Sequence, residues 1–252
     1  METDGAHALI LAAGVGRRLG AADGRPKSLL RFAGSSLLAR HLSILRACGV
    51  RDITVVVGYG AALLRTEAGP DVQFLDNPDF QEGSVVSLWT GRDVLRSGRP
   101  VLLMDADVIY DERLMRRLLG STLPNVLLLD RDIEPGDEPV KLCVAADRQG
   151  RNRIVDFRKR PDMPYEWYGE SVGFFRFAPD AARELADRAG AYVAGGRRST
   201  EYEEPIRDMI LSDANAPHPR FGFEDISGLP WTEIDFPEDI RKAEALLPEL
   251  AA

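Results

Sequence analysis

Short apolar runs alternate with segments of helical periodicity through the first half of the chain. Ala8–Ala13 is apolar at every position and stops at Gly14. A run of this length that ends at a glycine is typical of a strand buried on both faces. The same pattern predicts further buried strands at Ile53–Val57, Val72–Leu75, Pro100–Met104 and Asn125–Leu129. Helices are predicted between them, at a segment capped by Ser35 or Ser36, at Ser84–Leu95 and at Glu112–Leu119.

This alternation predicts an α/β fold with a Rossmann-like, mostly parallel sheet and helices on both faces. Ligands in such folds bind at the carboxyl ends of the strands. The segments that follow predicted strands at that edge are the loop at Gly14, the loop at Asn77 and the turn Asp105-Ala106-Asp107. We therefore expect these three segments to build the functional site.

The pattern changes in the second half of the chain. Val140–Ala145 and Arg153–Phe157 alternate between apolar and polar positions on either side of a turn at Gly150, which predicts a small antiparallel hairpin. The remaining strands and helices are predicted at Val172–Phe177, Pro179–Ala189, Tyr202–Leu211, Phe221–Ile226 and Pro237–Leu247. Because no repeat or long linker interrupts the pattern, residues 1–252 are predicted to form a single domain.

Composition narrows the class of protein. The net charge of −8 argues against a nucleic-acid binder, which usually carries a basic surface. No apolar run reaches the roughly 18 residues that a membrane-spanning helix needs. Met1–His7 lacks the charged start and apolar stretch of a signal peptide, and Cys48 and Cys143 have no metal-binding spacing. A cytoplasmic protein with neither a nucleic acid nor a membrane as partner is expected.

The loop after the first strand carries the candidate phosphate chemistry. It reads Leu11-Ala12-Ala13-Gly14-Val15-Gly16-Arg17-Arg18-Leu19-Gly20, followed by Arg25-Pro26-Lys27-Ser28. Glycines let backbone N–H groups approach phosphate oxygens, and the nearby cations add charge. The third glycine comes one residue too late for a dinucleotide fingerprint, and Ala21 and Pro26 occupy the glycine positions of a P-loop.

Two acidic turns are candidates for metal binding. Asp105 and Asp107 follow a buried strand, and Mg2+ prefers oxygen ligands of this kind. Ile109 and Tyr110 stand where a calcium-binding loop needs oxygen ligands and glycine, so calcium is not expected. A polar strand end that caps the next helix is the structural alternative. The second acidic turn spans Trp231–Asp239, and the histidines form no constellation with either turn.

The glycine loop together with Arg25-Pro26-Lys27-Ser28 resembles the signature of the sugar-phosphate and small-metabolite nucleotidyltransferases. This resemblance implies that the loop wraps the nucleotide, through Leu11, Ala12, Ala13, Gly14, Gly16, Asp105 and Ala106. It further implies that Arg17 meets the outer phosphates and that Lys27 bridges the reacting ones. The Trp231–Asp239 turn resembles the closing segment of that family, which implies that Asp235 joins Asp107 in holding Mg2+.

Asn77–Leu88 resembles a stretch of the cytidylyltransferases that act on phosphocholine and on 2-aminoethylphosphonate. The resemblance implies that Asn77, Gln81, Gly83 and Ser84 line the nucleotide pocket, whereas a capped helix beside an exposed loop is the structural alternative. Segments of the second half match the same subgroup, which implies that Lys159 contacts the acceptor phosphate. The acceptor residues implied in this way are Lys141, Glu170, Glu203 and Trp231.

The resemblance divides the chain into a nucleotide-binding half, 1–130, and a half that binds the acceptor and completes the metal site, 131–252. If the acceptor carries an amine, Glu170, Glu203 or Glu204 can pair with it. A quaternary amine can instead meet an aromatic wall, for which the candidates are Tyr165, Trp167, Tyr168 and Trp231. Core packing explains those aromatic residues equally well.

The predicted function is Mg2+-dependent transfer of CMP from CTP to a small phosphorylated or phosphonylated amine or alcohol. Its partners would be CTP and that metabolite, with a homodimer left open. The first alternative is a sugar-1-phosphate nucleotidyltransferase that uses UTP, dTTP or GTP, followed by a molybdopterin-type nucleotidyltransferase. An alternative of another class is a non-catalytic, nucleotide-binding regulatory protein.

Overall fold

The computed structural model describes residues 5–19, 25–133, 139–213, 216 and 219–250. Its strands, in chain order, are β1 His7–Ala12, β2 Arg31–Phe32, β3 Ser35–Ser36, β4 Asp52–Val57, β5 Gln73–Asp76, β6 Val101–Asp105, β7 Val108–Tyr110, β8 Asn125–Asp130, β9 Lys141–Ala146, β10 Asn152–Arg158, β11 Trp167–Phe177, β12 Phe221–Asp225 and β13 Trp231–Glu233. Its α-helices are α1 Leu37–Ala47, α2 Ala61–Ala68, α3 Ser84–Thr90, α4 Arg92–Leu95, α5 Glu112–Gly120, α6 Pro179–Ala194, α7 Glu203–Asp213 and α8 Pro237–Leu246.

Nine of the described strands form one sheet, whose main path runs β10-β9-β11-β6-β1-β4-β5 and whose branch adds β8 and β12 beside β11. Strands β6, β1, β4 and β5 are mutually parallel. The long strand β11 runs antiparallel to β6, β8 and β9, and β9 and β10 form the antiparallel hairpin. The predicted α/β class, with a parallel sheet and an antiparallel hairpin region, is confirmed.

Helices cover both faces of the sheet, because successive side chains of a strand point to opposite faces. Leu9 of β1 packs in one core cluster with side chains of α3, α4, α6 and α7. Its neighbours Ala8 and Ile10 pack in a second cluster with side chains of α1, α2 and α5. A third, smaller cluster joins Ile234 to Ala243 of α8. These layers leave the carboxyl ends of β1, β4 and β6 at a common edge.

The structure corrects some predicted elements. The helix predicted at Ser84–Leu95 is divided into α3 and α4 at Gly91, where an added Cβ would lie 2.6 Å from Leu9 Cδ2. The missing side chain lets the helix approach β1 closely. Strand β11 begins at Trp167, before the predicted start at Val172, because Trp167–Glu170 pair with β9. Helix α2 and the short strands β2, β3, β7 and β13 were not predicted.

The predicted cap of the first helix is confirmed. Ser36 is the N-cap of α1, and its hydroxyl accepts a hydrogen bond from the Ala39 backbone N–H at 3.0 Å. Cys48 and Cys143 are both free thiols. Among the described residues, no helix combines the length and the apolar character that crossing a bilayer requires.

Candidate active site

The glycine loop after β1 is shaped around Lys27. Gly16 has a φ of 65°, in the left-handed region that favours glycine. An added Cβ there would also lie 2.6 Å from Lys27 Cγ, so the lysine stem passes directly over this residue. A cavity of about 110 Å3 lies below the loop, lined by Leu11, Ala12, Gly14, Gly16, Lys27, Ser28, Ala106 and Asp107. Six of the predicted nucleotide-binding residues therefore share one cavity with the metal candidate Asp107.

Lys27 joins the two predicted metal ligands. Its Nζ donates to Asp107 Oδ2 at 3.2 Å and also to Asp235 Oδ1. Asp235 reaches this position because β13 pairs antiparallel with β7, and the Ile234 backbone N–H donates to the Asp107 carbonyl at 2.9 Å. Arg18 lies at the outer side, with its Nη1 3.4 Å from Asp235 Oδ2. The structure thus brings Lys27, Asp107 and Asp235 together as expected.

A third carboxylate completes this cluster. Carboxylate oxygens of Asp107, Glu233 and Asp235 all lie within 4.8 Å of one another. Opposite ligands of a Mg2+ ion are separated by about 4 Å, twice its usual metal–oxygen distance, and the ion prefers oxygen donors. The donor set and spacing therefore fit Mg2+. No role was predicted for Glu233 from the sequence. Its spacing of two residues from Asp235 could have indicated one, because such residues of an extended segment lie on the same face.

Burial shifts the pKa values of the carboxyl groups in this cluster. It raises the pKa of Asp107, an effect that Lys27 opposes, and raises the pKa of Glu233 well above its usual range, with Asp107 adding to the rise. Burial alone would lower the pKa of Lys27, but the carboxylates of Asp107 and Asp235 raise it above its usual value. Closely spaced carboxylates in a partly buried site repel one another, so a cation placed among them is favoured.

Asp105 ends β6 on the other side of the cluster and is positioned by two residues. The Tyr202 hydroxyl donates to Asp105 Oδ2 at 2.6 Å. Gly173 has a φ of 76°, and an added Cβ there would lie 2.1 Å from the same oxygen. Burial raises the pKa of Asp105 well above its usual range, and Asp107 and Glu203 raise it further. No role was predicted for Tyr202 or Gly173 from the sequence, because neither lies near Asp105 in the chain.

The segment that precedes α7 is docked onto the start of α3. The Gly83 N–H donates to the Arg198 carbonyl at 2.8 Å, and the Tyr202 N–H donates to Ser84 Oγ at 2.8 Å. An added Cβ at Gly83 would lie 2.3 Å from the Thr200 carbonyl oxygen, so only glycine permits this contact. Docking therefore couples the predicted nucleotide segment at Gly83 to the residues that lead into Glu203.

A cavity of about 280 Å3 opens between the glycine loop, the start of α3 and the carboxylate cluster, and we name it the nucleotide cavity. The predicted nucleotide residues in its lining are Leu11, Ala13, Gly14, Gly83, Ser84 and Asp105. Asn77 is buried beneath it and donates from Nδ2 to Ser87 Oγ at 3.0 Å, while Ser87 itself lines the cavity. Gln81 is exposed and lies outside the lining.

A second cavity of about 500 Å3 adjoins the first, and we name it the acceptor cavity. Its lining combines basic and acidic side chains with one apolar residue, namely Arg18, Arg158, Lys159, Arg160, Glu201, Glu203, Glu204 and Val140. Lys159, Glu201 and Glu203 line both cavities. A ligand in the acceptor cavity would therefore sit next to a nucleotide in the first cavity.

Other predicted acceptor residues lie elsewhere. Trp231 Nε1 donates to Asp130 Oδ2 at 2.7 Å, and Glu170 pairs with Asp130 across β11 and β8. Neither Trp231 nor Glu170 lines the nucleotide cavity or the acceptor cavity. Lys141 lines neither cavity, but it contacts a residue that lines both, because its Nζ donates to the Lys159 carbonyl at 2.9 Å.

Arg17 was predicted to contact the outer phosphates, whereas the histidines were assigned no role. The Arg17 backbone belongs to a short 3-10 helix, Arg17–Leu19, but its side chain lies outside the described part of the chain. His7 Nε2 lies 2.8 Å from Thr54 Oγ1, and His41 packs against Tyr110 and Phe174. His218 lies outside the described residues.

Comparison with known proteins gives this geometry a family context. Residues 8–198 match the family described as the MobA-like NTP transferase domain. The chain is 30% identical over 256 residues to the bifunctional IPC transferase and DIPP synthase of Rubrobacter xylanophilus, covering 99% of this chain and 53% of that protein. It is 28% identical to the CMP-5'-(3-aminopropyl)phosphonate synthase of Streptomyces rubellomurinus, covering 94% of this chain and 38% of that protein.

The fold has close counterparts among solved structures. The inositol-1-phosphate CTP transferase from T. maritima superposes with a TM-score of 0.74 at 20% identity, covering 98% of each chain. The present chain spans about half, or less, of the length of the two curated relatives described above.

Proposed function

Since the chain belongs to the MobA-like NTP transferase domain family, we propose that this nucleotidyltransferase transfers CMP from CTP to a small phosphorylated or phosphonylated amine or alcohol. Mg2+ would assist the reaction, and pyrophosphate would be released. The observation that supports the proposal is the contact of Lys27 with both Asp107 and Asp235, since a cation and two carboxylates lie together beside the glycine loop.

In this proposal each half of the chain has one task. Residues 1–130 bind CTP in the nucleotide cavity, through the glycine loop and the start of α3. Residues 131–252 supply the acceptor cavity and bring Asp235 to the metal site. The choice of CTP is supported by the likeness of Asn77–Leu88 to cytidylyltransferases and by the relative from Streptomyces rubellomurinus, whose name contains CMP.

The residues of the chain need only position the two substrates and neutralise the charge of their phosphates. The second pKa of a phosphate monoester is about 6, so the attacking oxygen is largely ionised at neutral pH without a general base. Lys27 contacts the reacting phosphates, Arg17 the outer phosphates, and Lys159 the phosphate or phosphonate of the acceptor. Because Lys159 lines both cavities, it holds the attacking oxygen toward the α-phosphorus.

Asp107, Glu233 and Asp235 would hold the Mg2+ ion, which supplies charge neutralisation at the α-phosphate. Tyr202 keeps the Asp105 carboxylate directed into the nucleotide cavity. Gly83 and Ser84 face the base, with Asn77 fixing Ser87 below them.

Pyrophosphate release tests the proposal. CTP, UTP, ATP and GTP are each combined with Mg2+ and with phosphocholine, 2-aminoethylphosphonate, inositol 1-phosphate or glucose 1-phosphate. We expect release only with CTP, and with phosphocholine, 2-aminoethylphosphonate or inositol 1-phosphate but not with glucose 1-phosphate. The Asp107→Asn variant should lose about 100- to 1,000-fold in kcat, the usual size of a lost charge-stabilising contact. Asp93→Asn, an exposed carboxylate that lines neither cavity, serves as the matched control.

Other outcomes have definite meanings. Turnover with glucose 1-phosphate and UTP would replace the proposed acceptor and base by those of a sugar-1-phosphate nucleotidyltransferase. CTP binding without pyrophosphate release from any mixture would instead indicate a nucleotide-binding regulatory protein. Full activity of a folded Asp107→Asn variant would refute the metal site.

A further inference from the structure

The charged side chains that line the acceptor cavity differ in whether they have an ion-pair or hydrogen-bond partner. Arg158 forms ion pairs with Asp162 at 2.7 Å and with Glu204 at 3.0 Å, and Lys159 lies 3.7 Å from Glu201. Glu203 differs from its acidic neighbours, since its Oε2 is buried and has no hydrogen-bond partner. The acidic residues of the lining therefore include one carboxylate, that of Glu203, with an oxygen that has no hydrogen-bond donor.

A buried carboxylate oxygen without a donor is costly, because it has lost its water without gaining a partner. Burial raises the pKa of Glu203 to about 7, and Glu201 adds to the rise. The carboxylate lines both cavities, as does the basic residue Lys159. A ligand that brings a cationic donor to this oxygen would relieve the penalty.

The aromatic residues suited to a quaternary amine are engaged elsewhere. Trp167 packs edge-on against Phe223 and under Arg131, at 4.8 Å from the ring centre. Trp231 is bonded to Asp130, and Tyr165 packs against Tyr168. Among the described residues that line the acceptor cavity, none is aromatic. The wall thus offers carboxylates rather than ring faces.

We propose that the acceptor cavity selects an acceptor with a primary ammonium group, which Glu203 binds at the end of the molecule opposite its phosphate or phosphonate. This inference rests on the proposed function and narrows its acceptor. A primary ammonium carries N–H donors for Glu203 Oε2, whereas a trimethylammonium group carries none and relies on aromatic faces. The basic residues Arg158, Lys159 and Arg160 hold the anionic end.

A hydroxyl in place of the ammonium would offer one neutral donor and leave the carboxylate charge uncompensated. Sites built to hydrogen-bond a specific polar group reject analogues that lack it more strongly than apolar pockets reject a missing methylene. Glu203 therefore discriminates an amine acceptor from an alcohol. Because no described residue of the cavity lining is aromatic, the cavity favours a primary amine over a quaternary one.

Three acceptors with the same two-carbon skeleton test the inference. The kcat/KM for CMP transfer is measured with 2-aminoethylphosphonate, 2-hydroxyethylphosphonate and the trimethylated form of 2-aminoethylphosphonate. We expect the primary amine to exceed both others by about 100-fold. Glu203→Gln should reduce this preference at least about 10-fold, mainly through KM. Glu249→Gln, an exposed carboxylate outside both cavities, should keep the preference of the wild type.

Binding gives a readout apart from turnover. Calorimetric titration of 2-aminoethylphosphonate into the protein with a non-hydrolysable CTP analogue and Mg2+ should show weaker binding for Glu203→Gln, while the variant binds the CTP analogue itself.

Equal use of the hydroxyl acceptor, preference for the trimethylated one, or turnover with inositol 1-phosphate alone would overturn the primary-amine inference and leave CMP transfer in place. Lack of pyrophosphate from every acceptor would overturn the proposed function itself.

Discussion

Lys27 Nζ lies 3.2 Å from Asp107 Oδ2 and donates at the same time to Asp235, so one ammonium group joins two carboxylates from different elements. These are the oxygens that the proposed Mg2+ ion would coordinate together with Glu233. The lysine and the metal therefore compete for the same carboxylates. A nucleotide triphosphate would resolve the competition, because its phosphates offer Lys27 another anionic partner.

The Lys27→Met variant should bind a divalent cation more tightly than the wild type when no nucleotide is present. Removing a positive charge a few ångströms from the ion should raise the affinity about 10-fold, which corresponds to about 1.4 kcal/mol. Mn2+ binding followed by electron paramagnetic resonance measures this. Lys242→Met, in α8 and outside both cavities, is the control. An unchanged or weaker Mn2+ affinity in Lys27→Met would show that the lysine does not compete.

Gly83→Ala should destabilise the protein through a contact and not through backbone strain, since Gly83 has an ordinary φ of −74°. Its new Cβ would lie 2.3 Å from the Thr200 carbonyl oxygen, so the docked segment has to move. We expect a loss of about 1–3 kcal/mol in the free energy of unfolding, measured by urea denaturation. Gly120→Ala, at the exposed end of α5 with no atom within 4 Å of the added Cβ, should be neutral or slightly stabilising.

Tyr202→Phe should lower activity beyond its effect on stability. The change removes the hydroxyl that donates to Asp105 at 2.6 Å, so the pKa of Asp105 rises further and its carboxylate is no longer directed. We expect kcat/KM for CTP to fall about 10-fold, a loss of about 1.4 kcal/mol.

Tyr192→Phe is the matched control for Tyr202→Phe. The Tyr192 hydroxyl donates to Asp208 at a distance of 2.8 Å, and neither residue lines the nucleotide cavity or the acceptor cavity. Thermal unfolding should show a loss of stability in both variants, whereas only Tyr202→Phe should lose activity. Equal kcat/KM values in the two variants would remove the positioning role of Tyr202.

Glu170 should make the stability of the protein depend on pH. Burial raises the pKa of Glu170 to about 7, and Asp130 raises it further, while Lys242 and Lys141 oppose the rise and Asp239 adds to it. The folded state therefore binds more protons than the unfolded state between about pH 4.5 and 7, and stability falls as the pH rises through this window.

Glu170→Gln removes this titration. Between pH 5 and 8 the free energy of unfolding of the wild type should fall by about 1–3 kcal/mol relative to the variant, a range reduced for the partial exposure of the side chain. Denaturant unfolding at the two pH values measures the difference. Parallel pH profiles for wild type and Glu170→Gln would contradict the assignment.

Much of the fold and part of the site could be inferred from local patterns. The apolar run at Ala8–Ala13 appears in the structure as strand β1, His7–Ala12, because a strand buried on both faces needs apolar residues at nearly every position. The pairing of Lys27 with Asp107 was also within reach, since both follow parallel strands whose carboxyl ends meet at one edge. The division of the predicted helix at Gly91, by contrast, depends on a contact with Leu9, which is distant in the chain.

The sequence by itself determined the α/β class, the glycine loop and the identity of the carboxylate turns, because these depend on residue type and on spacing over a few positions. Only the tertiary structure decided that Glu233 completes the acidic cluster, that Tyr202 binds Asp105, and that Glu203 rather than Glu170 faces the acceptor cavity. These relationships depend on strand register and on the docking of the segment before α7 onto α3. Both are set by the packing of residues far apart in the chain, and only for Glu233 did a local pattern, its spacing of two residues from Asp235, carry a signal.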